Sequence, residues 1–148
     1  MYHDIRHPVF FIKKKKDSSL RLVQDYRKLN NITVKNSYPL PLISDVLNCL
    51  QDAEWFSVLD LRWGFNNIWI KGGDEWKAVF HTNWGLYEPL VMFFGLCNSP
   101  ATFQMMMNDI LRDFINHGVV MCYMDNILIF MHTLKEHHQI TCEVLTTL

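Results

Sequence analysis

No two cysteines in this chain have C-x-x-C spacing. The four that occur, Cys49, Cys97, Cys122 and Cys142, are scattered, three of them inside apolar runs. That pattern speaks against a disulfide framework or a thiolate zinc site and for free thiols in a reducing compartment. Apolar runs longer than a strand are also lacking, so no membrane-spanning segment is expected. No signal-peptide pattern opens the chain, and the expected location is intracellular, in a cytoplasmic particle or the nucleus. Net charge is almost absent, −1 over 148 residues, so an anionic partner would have to be met by a local patch. There is no internal repeat.

What is present is a chain with 49% hydrophobic residues, long enough for one packed core and too short for two. Basic charge is concentrated in one place: Lys13, Lys14, Lys15 and Lys16 stand together, followed by Arg21, Arg27 and Lys28. Residues 8–12 and 20–26 read as strands of a hairpin with the lysines at its tip. Pro39 and Pro41 mark a linker. Ile43, Val46, Leu47 and Leu50 recur at helical spacing. Residues 55–60 read as a strand ending on Asp60, and 61–68 as a helical turn broken at Gly64. Residues 77–82 and 87–92 read as a hairpin across Asn83-Trp84-Gly85. Ser99-Pro100 supplies an N-cap and a first-turn proline for one long helix over 99–116, with an apolar stripe from Phe103 to Ile115. A hairpin over 119–130 and a helix over 134–148 close the chain. The order argues for an α+β sheet packed on helices.

The 119–130 hairpin is the most informative stretch. Two apolar strands flank Asp125-Asn126. The pair serves well as a two-residue turn, and equally as a rigidly aimed acid for divalent-metal chemistry. Asp60 ends another apolar strand 65 residues earlier. Two buried acids would be costly unless paired or metal-bound, whereas two unrelated strand-end acids would simply face water. Spacing alone leaves both readings open. A metal or redox site on His132, His137, His138 and the cysteines has no standard ligand spacing behind it.

Six further motifs stand in a recognisable order: the run from Lys14 to Arg21, Asp25-Tyr26-Arg27 with Leu29-Asn30, Tyr38-Pro39-Leu40-Pro41, the run from Phe56 to Leu61, the run from Phe94 to Gln104, and Tyr123-Met124-Asp125-Asn126. With them the chain resembles the reverse transcriptase of gypsy-type LTR retrotransposons, relatives of retroviral polymerases, over essentially residues 6–148. The resemblance implies a polymerase palm, a ferredoxin-like antiparallel sheet backed by helices, with part of the fingers: about 1–54 fingers, and 55–148 palm with some fingers insertion. It implies an RNA-directed DNA polymerase that transfers a nucleotide from a dNTP to a primer 3′-OH on an RNA or DNA template. Asp60 and Asp125 would hold two Mg²⁺ (or Mn²⁺) ions. Lys15 and Arg21 would contact the triphosphate. Phe65 would form the aromatic gate against a 2′-OH, and Phe94 and Gly95 would border the nucleotide pocket. Gln104 would lie near the template strand, and Tyr123 and Met124 would face the primer terminus.

The departures from the family pattern are as specific as the matches. Asn126 stands where the family has a second acid, removing one negative charge from the metal site. Trp63 stands for a small Ser, with overpacking as the expected consequence. Phe93 replaces a turn Pro, Ser18 a turn Gly, and Asn66-Asn67 the usual His-Gln. The thumb, RNase H and integrase parts of a full polyprotein are expected to lie outside this chain. Weak or absent activity follows as the expectation, with a non-catalytic nucleic-acid-binding remnant as the alternative.

Overall fold

The structure, a computed structural model, describes residues 6–13 and 20–148, Arg21 through its backbone alone. In chain order the elements are β1 (His7–Lys13), β2 (Leu20–Gln24), α1 (Arg27–Ile32), α2 (Ile43–Cys49), β3 (Trp55–Asp60), two 3-10 turns (Gly64–Asn67 and Glu75–Ala78), β4 (Phe80–Thr82), β5 (Gly85–Tyr87), α3 (Ser99–Ile110), α4 (Arg112–Asn116), β6 (Val120–Tyr123), β7 (Asn126–Met131) and α5 (Leu134–Thr147). They divide into two compact units, each built from two segments: Met1–Lys35 with Phe65–Ser99, and Asn36–Gly64 with Pro100–Leu148. Each unit thus joins two stretches that are apart in sequence.

In the first unit the described strands form a mixed sheet in the order β2-β1-β4-β5. β1 and β2 pair antiparallel from Val9↔Gln24 to Lys13↔Leu20, and β1 runs parallel to β4. Its inner end is fastened by side chains that belong to the recurring motifs. The buried Tyr26 phenol donates to the Ala78 carbonyl at 3.0 Å. Burial pushes that phenol well above its ordinary pKa. Asn30 donates to the Gly95 carbonyl at 2.7 Å and accepts from the Cys97 N–H at 2.9 Å. Gly95 has φ 101, and a Cβ there would meet the Gln24 carbonyl and the Tyr26 ring. Asp25-Tyr26-Arg27…Asn30 is therefore a structural fastening, which explains why those residue types occur at that spacing.

In the second unit β3, β7 and β6 form an antiparallel sheet in that order. Alternation along β6 and β7 puts Val120, Cys122, Ile127 and Ile129 on one face, all buried. Phe103, Met107 and Leu111, four residues apart on one side of the helical segment, are likewise buried. Burial pushes the Cys122 thiol up to about 12, so it packs as an apolar group. α5 begins with a side-chain cap: the Thr133 hydroxyl accepts from the Glu136 N–H at 3.4 Å and donates to its carboxylate at 2.6 Å. His137 of α5 is buried, with Nε2 2.8 Å from the Ser57 hydroxyl on β3.

Four local expectations change. The single helix over 99–116 is two helices, interrupted at Leu111 (φ −102, ψ 19). Ser99 does not cap α3; its hydroxyl donates to the Phe93 carbonyl at 3.2 Å. The 77–82/87–92 hairpin shrinks to two three-residue strands, because residues 75–78 turn as a 3-10 helix and Val91 instead bridges Trp69. α2 forms where its spacing predicts, yet none of its residues is buried.

Candidate active site

The second unit brings the separated acids to one end of its sheet. β3 and β7 are in register from Trp55↔Met131 to Asp60↔Asn126, so Asp60 lies directly opposite Asn126. β6 pairs with β7 through Tyr123↔Asn126. Directly opposed residues in antiparallel strands share a face, so Asp60, Asn126 and Tyr123 form a row across the sheet. The two residues left between β6 and β7 are Met124 and Asp125. The Leu61 N–H donates to the Asp125 carbonyl at 2.9 Å, fastening the turn to the exit of β3. Sixty-five residues of sequence separation thus close into one cluster, while a third carboxylate is missing from it.

Three expectations about this cluster are corrected by the geometry. The turn residues are Met124-Asp125, not Asp125-Asn126; the register that buries Cys122, Ile127 and Ile129 together draws Asn126 into the ladder. The acids are not buried: Asp60 is exposed and Asp125 half-buried. Avoided burial cost is therefore no reason for their pairing; the sheet register is. Trp63 does not overpack, being 63% exposed, although its φ of 60 is rare for a bulky residue. Beside it Gly64 is required by space. A Cβ there would stand 2.9 Å from the Phe103 ring and 3.6 Å from the Asp125 Cβ.

Gln104 is 0% exposed, which removes it from direct contact with a template strand. Its Oε1 accepts from the Met124 N–H at 2.9 Å and its Nε2 donates to the Cys122 carbonyl at 2.9 Å. This one buried side chain holds the peptide groups on both sides of Tyr123, on the β6 side of the hairpin turn. Met124 itself sits at φ 53, a left-handed conformation that costs a non-glycine residue about 1–2 kcal/mol. Sequence reasoning missed this role, along with those of Asn108 and Tyr38, which continue the chain of hydrogen bonds.

The expected nucleotide-contacting residues belong to the first unit. Phe65 is 5% exposed and meets Phe94 edge to face, ring centroids 4.7 Å apart; Phe94 is 43% exposed. The ring that offers surface is thus Phe94, with Phe65 packed against it. Gly95 is placed by Asn30, as described. Arg21 lies in β2 opposite Ile12, and Lys15 lies outside the described residues.

No group of three or more His, Cys, Asp or Glu side chains stands together among the described residues. The oxygen donors at the sheet end are the carboxylates of Asp60 and Asp125 and the neutral amide of Asn126, whose Nδ2 is 3.4 Å from Asp125 Oδ1. All-oxygen donors suit hard cations such as Mg²⁺ and Mn²⁺.

Residues 12–148 match the family described as reverse transcriptase (RNA-dependent DNA polymerase). The chain belongs to this family. It is 42% identical over 134 residues to the retrovirus-related Pol polyprotein from transposon 297 of Drosophila melanogaster, covering 88% of this chain and 13% of that polyprotein. It is 41% identical over 141 residues to the transposon Tf2-7 polyprotein of Schizosaccharomyces pombe, covering 95% of this chain and 10% of the polyprotein. An RNA-directed DNA polymerase homolog of Oenothera berteroana is 43% identical over 122 residues, 80% of this chain and 85% of that protein. Among solved structures, the foamy viral protease-reverse transcriptase in complex with double-stranded DNA superposes with a TM-score of 0.86 at 25% identity, over 96% of this chain and 24% of that one. The same enzyme with an RNA/DNA hybrid gives a TM-score of 0.84. The chain thus has the α+β polymerase architecture of retroviral reverse transcriptases and is a reverse transcriptase domain of the retrotransposon type. It spans only a small part of the transposon polyproteins it matches.

Proposed function

We propose that this chain forms the nucleotidyl-transfer centre of an RNA-directed DNA polymerase, with activity held low by Asn126. The observation that carries the reading is the row Asp60–Asn126–Tyr123 with Asp125 in the adjoining turn, set by strand register. Asp60 and Asp125 are the residues that would hold two divalent ions, Mg²⁺ or Mn²⁺. Such ions, when bound, neutralise charge on the attacking and leaving oxygens of in-line phosphoryl transfer. Asn126 offers that site a neutral amide oxygen in place of a charge. Tyr123 and Met124, on the same sheet end, are the residues to meet a primer terminus. The second unit corresponds in this reading to the palm.

The first unit corresponds to the fingers. There Phe94, backed by Phe65, supplies a flat wall for the nucleotide sugar. Gly95, at φ 101, holds a left-handed backbone conformation that side chains rarely adopt. Lys15 and Arg21 are the proposed triphosphate contacts, and template–primer the proposed partner. Electrostatic attraction from so few cations makes duplex binding weak and steeply salt-dependent.

Primer extension on an RNA template with Mg²⁺ or Mn²⁺ tests the reading, comparing this chain with its Asn126→Asp variant. Restoring the charge is expected to raise the rate by about tenfold or more, each factor of ten corresponding to about 1.4 kcal/mol of barrier. Asp60→Asn in the Asn126→Asp background is expected to abolish extension. If neither chain extends a primer while both bind duplex in a salt-dependent way, the enzyme reading fails and a binding remnant is left.

A further inference from the structure

A fully buried glutamine with every polar atom engaged on the turn that carries a proposed metal ligand needs its own account. The polarity of the chain of hydrogen bonds is fixed from its ends. The Met124 N–H can only donate and the Cys122 carbonyl can only accept, so Gln104 must turn Oε1 to the first and Nε2 to the second. The second Nε2 hydrogen goes to Asn108 Oδ1 at 2.9 Å. One turn further along α3, Asn108 must then point Nδ2 outward, and it donates to the Tyr38 hydroxyl at 2.8 Å. Tyr38 is the first residue of Tyr38-Pro39-Leu40-Pro41, a motif to which the proposed chemistry assigns nothing.

We infer that Gln104 is a positioning residue for the Asp125 turn, oriented by Asn108 and Tyr38. The inference rests on the polymerase reading for its consequence and on geometry for its mechanism. Met124 occupies a left-handed conformation with no glycine to relieve it, and such a residue persists only where its surroundings over-determine it. Gln104 does this by gripping the residue before the tip, through the Cys122 carbonyl two positions upstream, and the Met124 N–H. Without the grip the turn relaxes to other conformers and the Asp125 carboxylate loses its fixed aim. Asn108 keeps the Gln104 amide from flipping. Tyr38 keeps Asn108 from doing so, which gives the motif a purpose at a distance from the acids.

Two readouts on the 148-residue chain test this: hydrogen exchange at the Met124 amide, and Mn²⁺ affinity by water-proton relaxation with Mn²⁺ alone as the probe. Gln104→Met keeps the volume and removes every polar contact. It is expected to speed Met124 exchange by about tenfold, the loss of one well-made hydrogen bond, and to weaken Mn²⁺ binding. Tyr38→Phe and Asn108→Leu leave Gln104 in place and are expected to give the same changes more weakly, and they remain informative if Gln104→Met does not fold. The deciding variant is Met124→Gly added to Gln104→Met or, failing that, to Asn108→Leu. Glycine adopts φ 53 without strain, so it should restore Mn²⁺ affinity if Gln104 holds the turn, and should not if Gln104 merely fills the core. Unchanged Met124 exchange in the Gln104 and Asn108 variants, or failure of the glycine to restore affinity lost from a Mn²⁺-binding parent, overturns the inference. A parent chain that binds no Mn²⁺, with exchange still rising in those variants and no primer extension even after Asn126→Asp, sustains the clamp and overturns the polymerase reading instead.

Discussion

Each unit contains an antiparallel hairpin closed by two residues, and the two are held by opposite means. In β4–β5 the closing pair is Thr82↔Gly85 around Asn83-Trp84. Trp84 is 85% exposed and β5 has no buried residue. The turn is specified locally: the Thr82 hydroxyl accepts from the Trp84 N–H at 3.1 Å, and Gly85 takes φ 141, which side chains rarely adopt. In β6–β7 the closing pair is Tyr123↔Asn126, both strands bury alternate residues, and the tip is a methionine at φ 53 held by a glutamine twenty positions upstream. A turn that must only reverse the chain can be written in its own four residues. A turn that must aim a carboxylate is fixed from outside, by core packing and a buried amide.

The largest expected effect breaks the packing side of this contrast. Ile129→Ala in β7 removes a fully buried side chain and is expected to destabilise by about 2–5 kcal/mol. Leu86→Ala in β5, an exposed site, should stay within about 0.5 kcal/mol. Denaturant midpoints of the two variants measure the difference. Equal losses would mean that β5 is covered in solution.

The local side is broken at Gly85. Gly85→Ala forces a side chain to φ 141 and is expected to cost about 1–3 kcal/mol. Although a Cβ there would meet no neighbour within 4 Å, the cost should appear all the same, because it arises in the backbone. A neutral result in thermal unfolding would show that this turn readily adopts another form.

Legibility from sequence follows the same division. β1, β2, β3, β6 and β7 are readable because their alternation or apolar runs are local. The meeting of Asp60 with the Asp125 turn came from motif order, and the register then supplied a physical cause. What could not be read was set by contacts distant in sequence. The turn moved one residue back because the facing Ile127 and Cys122 choose the register. The helix over 99–116 breaks at Leu111, which is itself fully buried, so no loss of apolar spacing announces the break. The resemblance places Gln104 near a template strand, and nothing local says that its amide answers a backbone N–H at Met124. α2 shows the converse: its apolar spacing made a helix, but spacing cannot say whether anything covers the stripe.

A smaller effect sharpens what backs β7. That strand leads within two residues into Thr133, whose hydroxyl caps α5. Thr133→Ala is expected to cost about 1 kcal/mol, and circular dichroism melting reads it. Thr133→Ser should recover most of the loss. If Ala and Ser behave alike, the cap contributes nothing and α5 is held by Val144 and His137 alone.

The smallest effect separates the units by pH. The link from β2 to α1 is held by charge: the Arg27 guanidinium donates to both Asp25 carboxylate oxygens, at 2.9 and 2.7 Å, and the Arg27 N–H donates to Oδ1 at 3.1 Å. The guanidinium first, and then that backbone N–H, lower the Asp25 pKa from its ordinary 3.8 to about 2. A carboxyl whose folded pKa is depressed contributes stability that is fully present above its unfolded value and is lost as pH falls through the folded one. The Asp25 contribution should therefore fade between about pH 4 and pH 2, and because its Arg27 partner is solvent-exposed it should be modest and weakened by salt. The Gln104 grip on Met124 uses neutral amides and has no proton to gain in that window. Following the Arg27 amide resonance and the hydrogen-exchange protection of the Met124 amide together through the acid range should show the Arg27 amide reporting an Asp25 midpoint near 2 while Met124 stays protected until global unfolding. An Arg27 midpoint near 3.8 would mean the ion pair does not form in solution; Met124 protection lost together with the Arg27 transition would mean the β2–α1 link and the β6–β7 turn are not held independently.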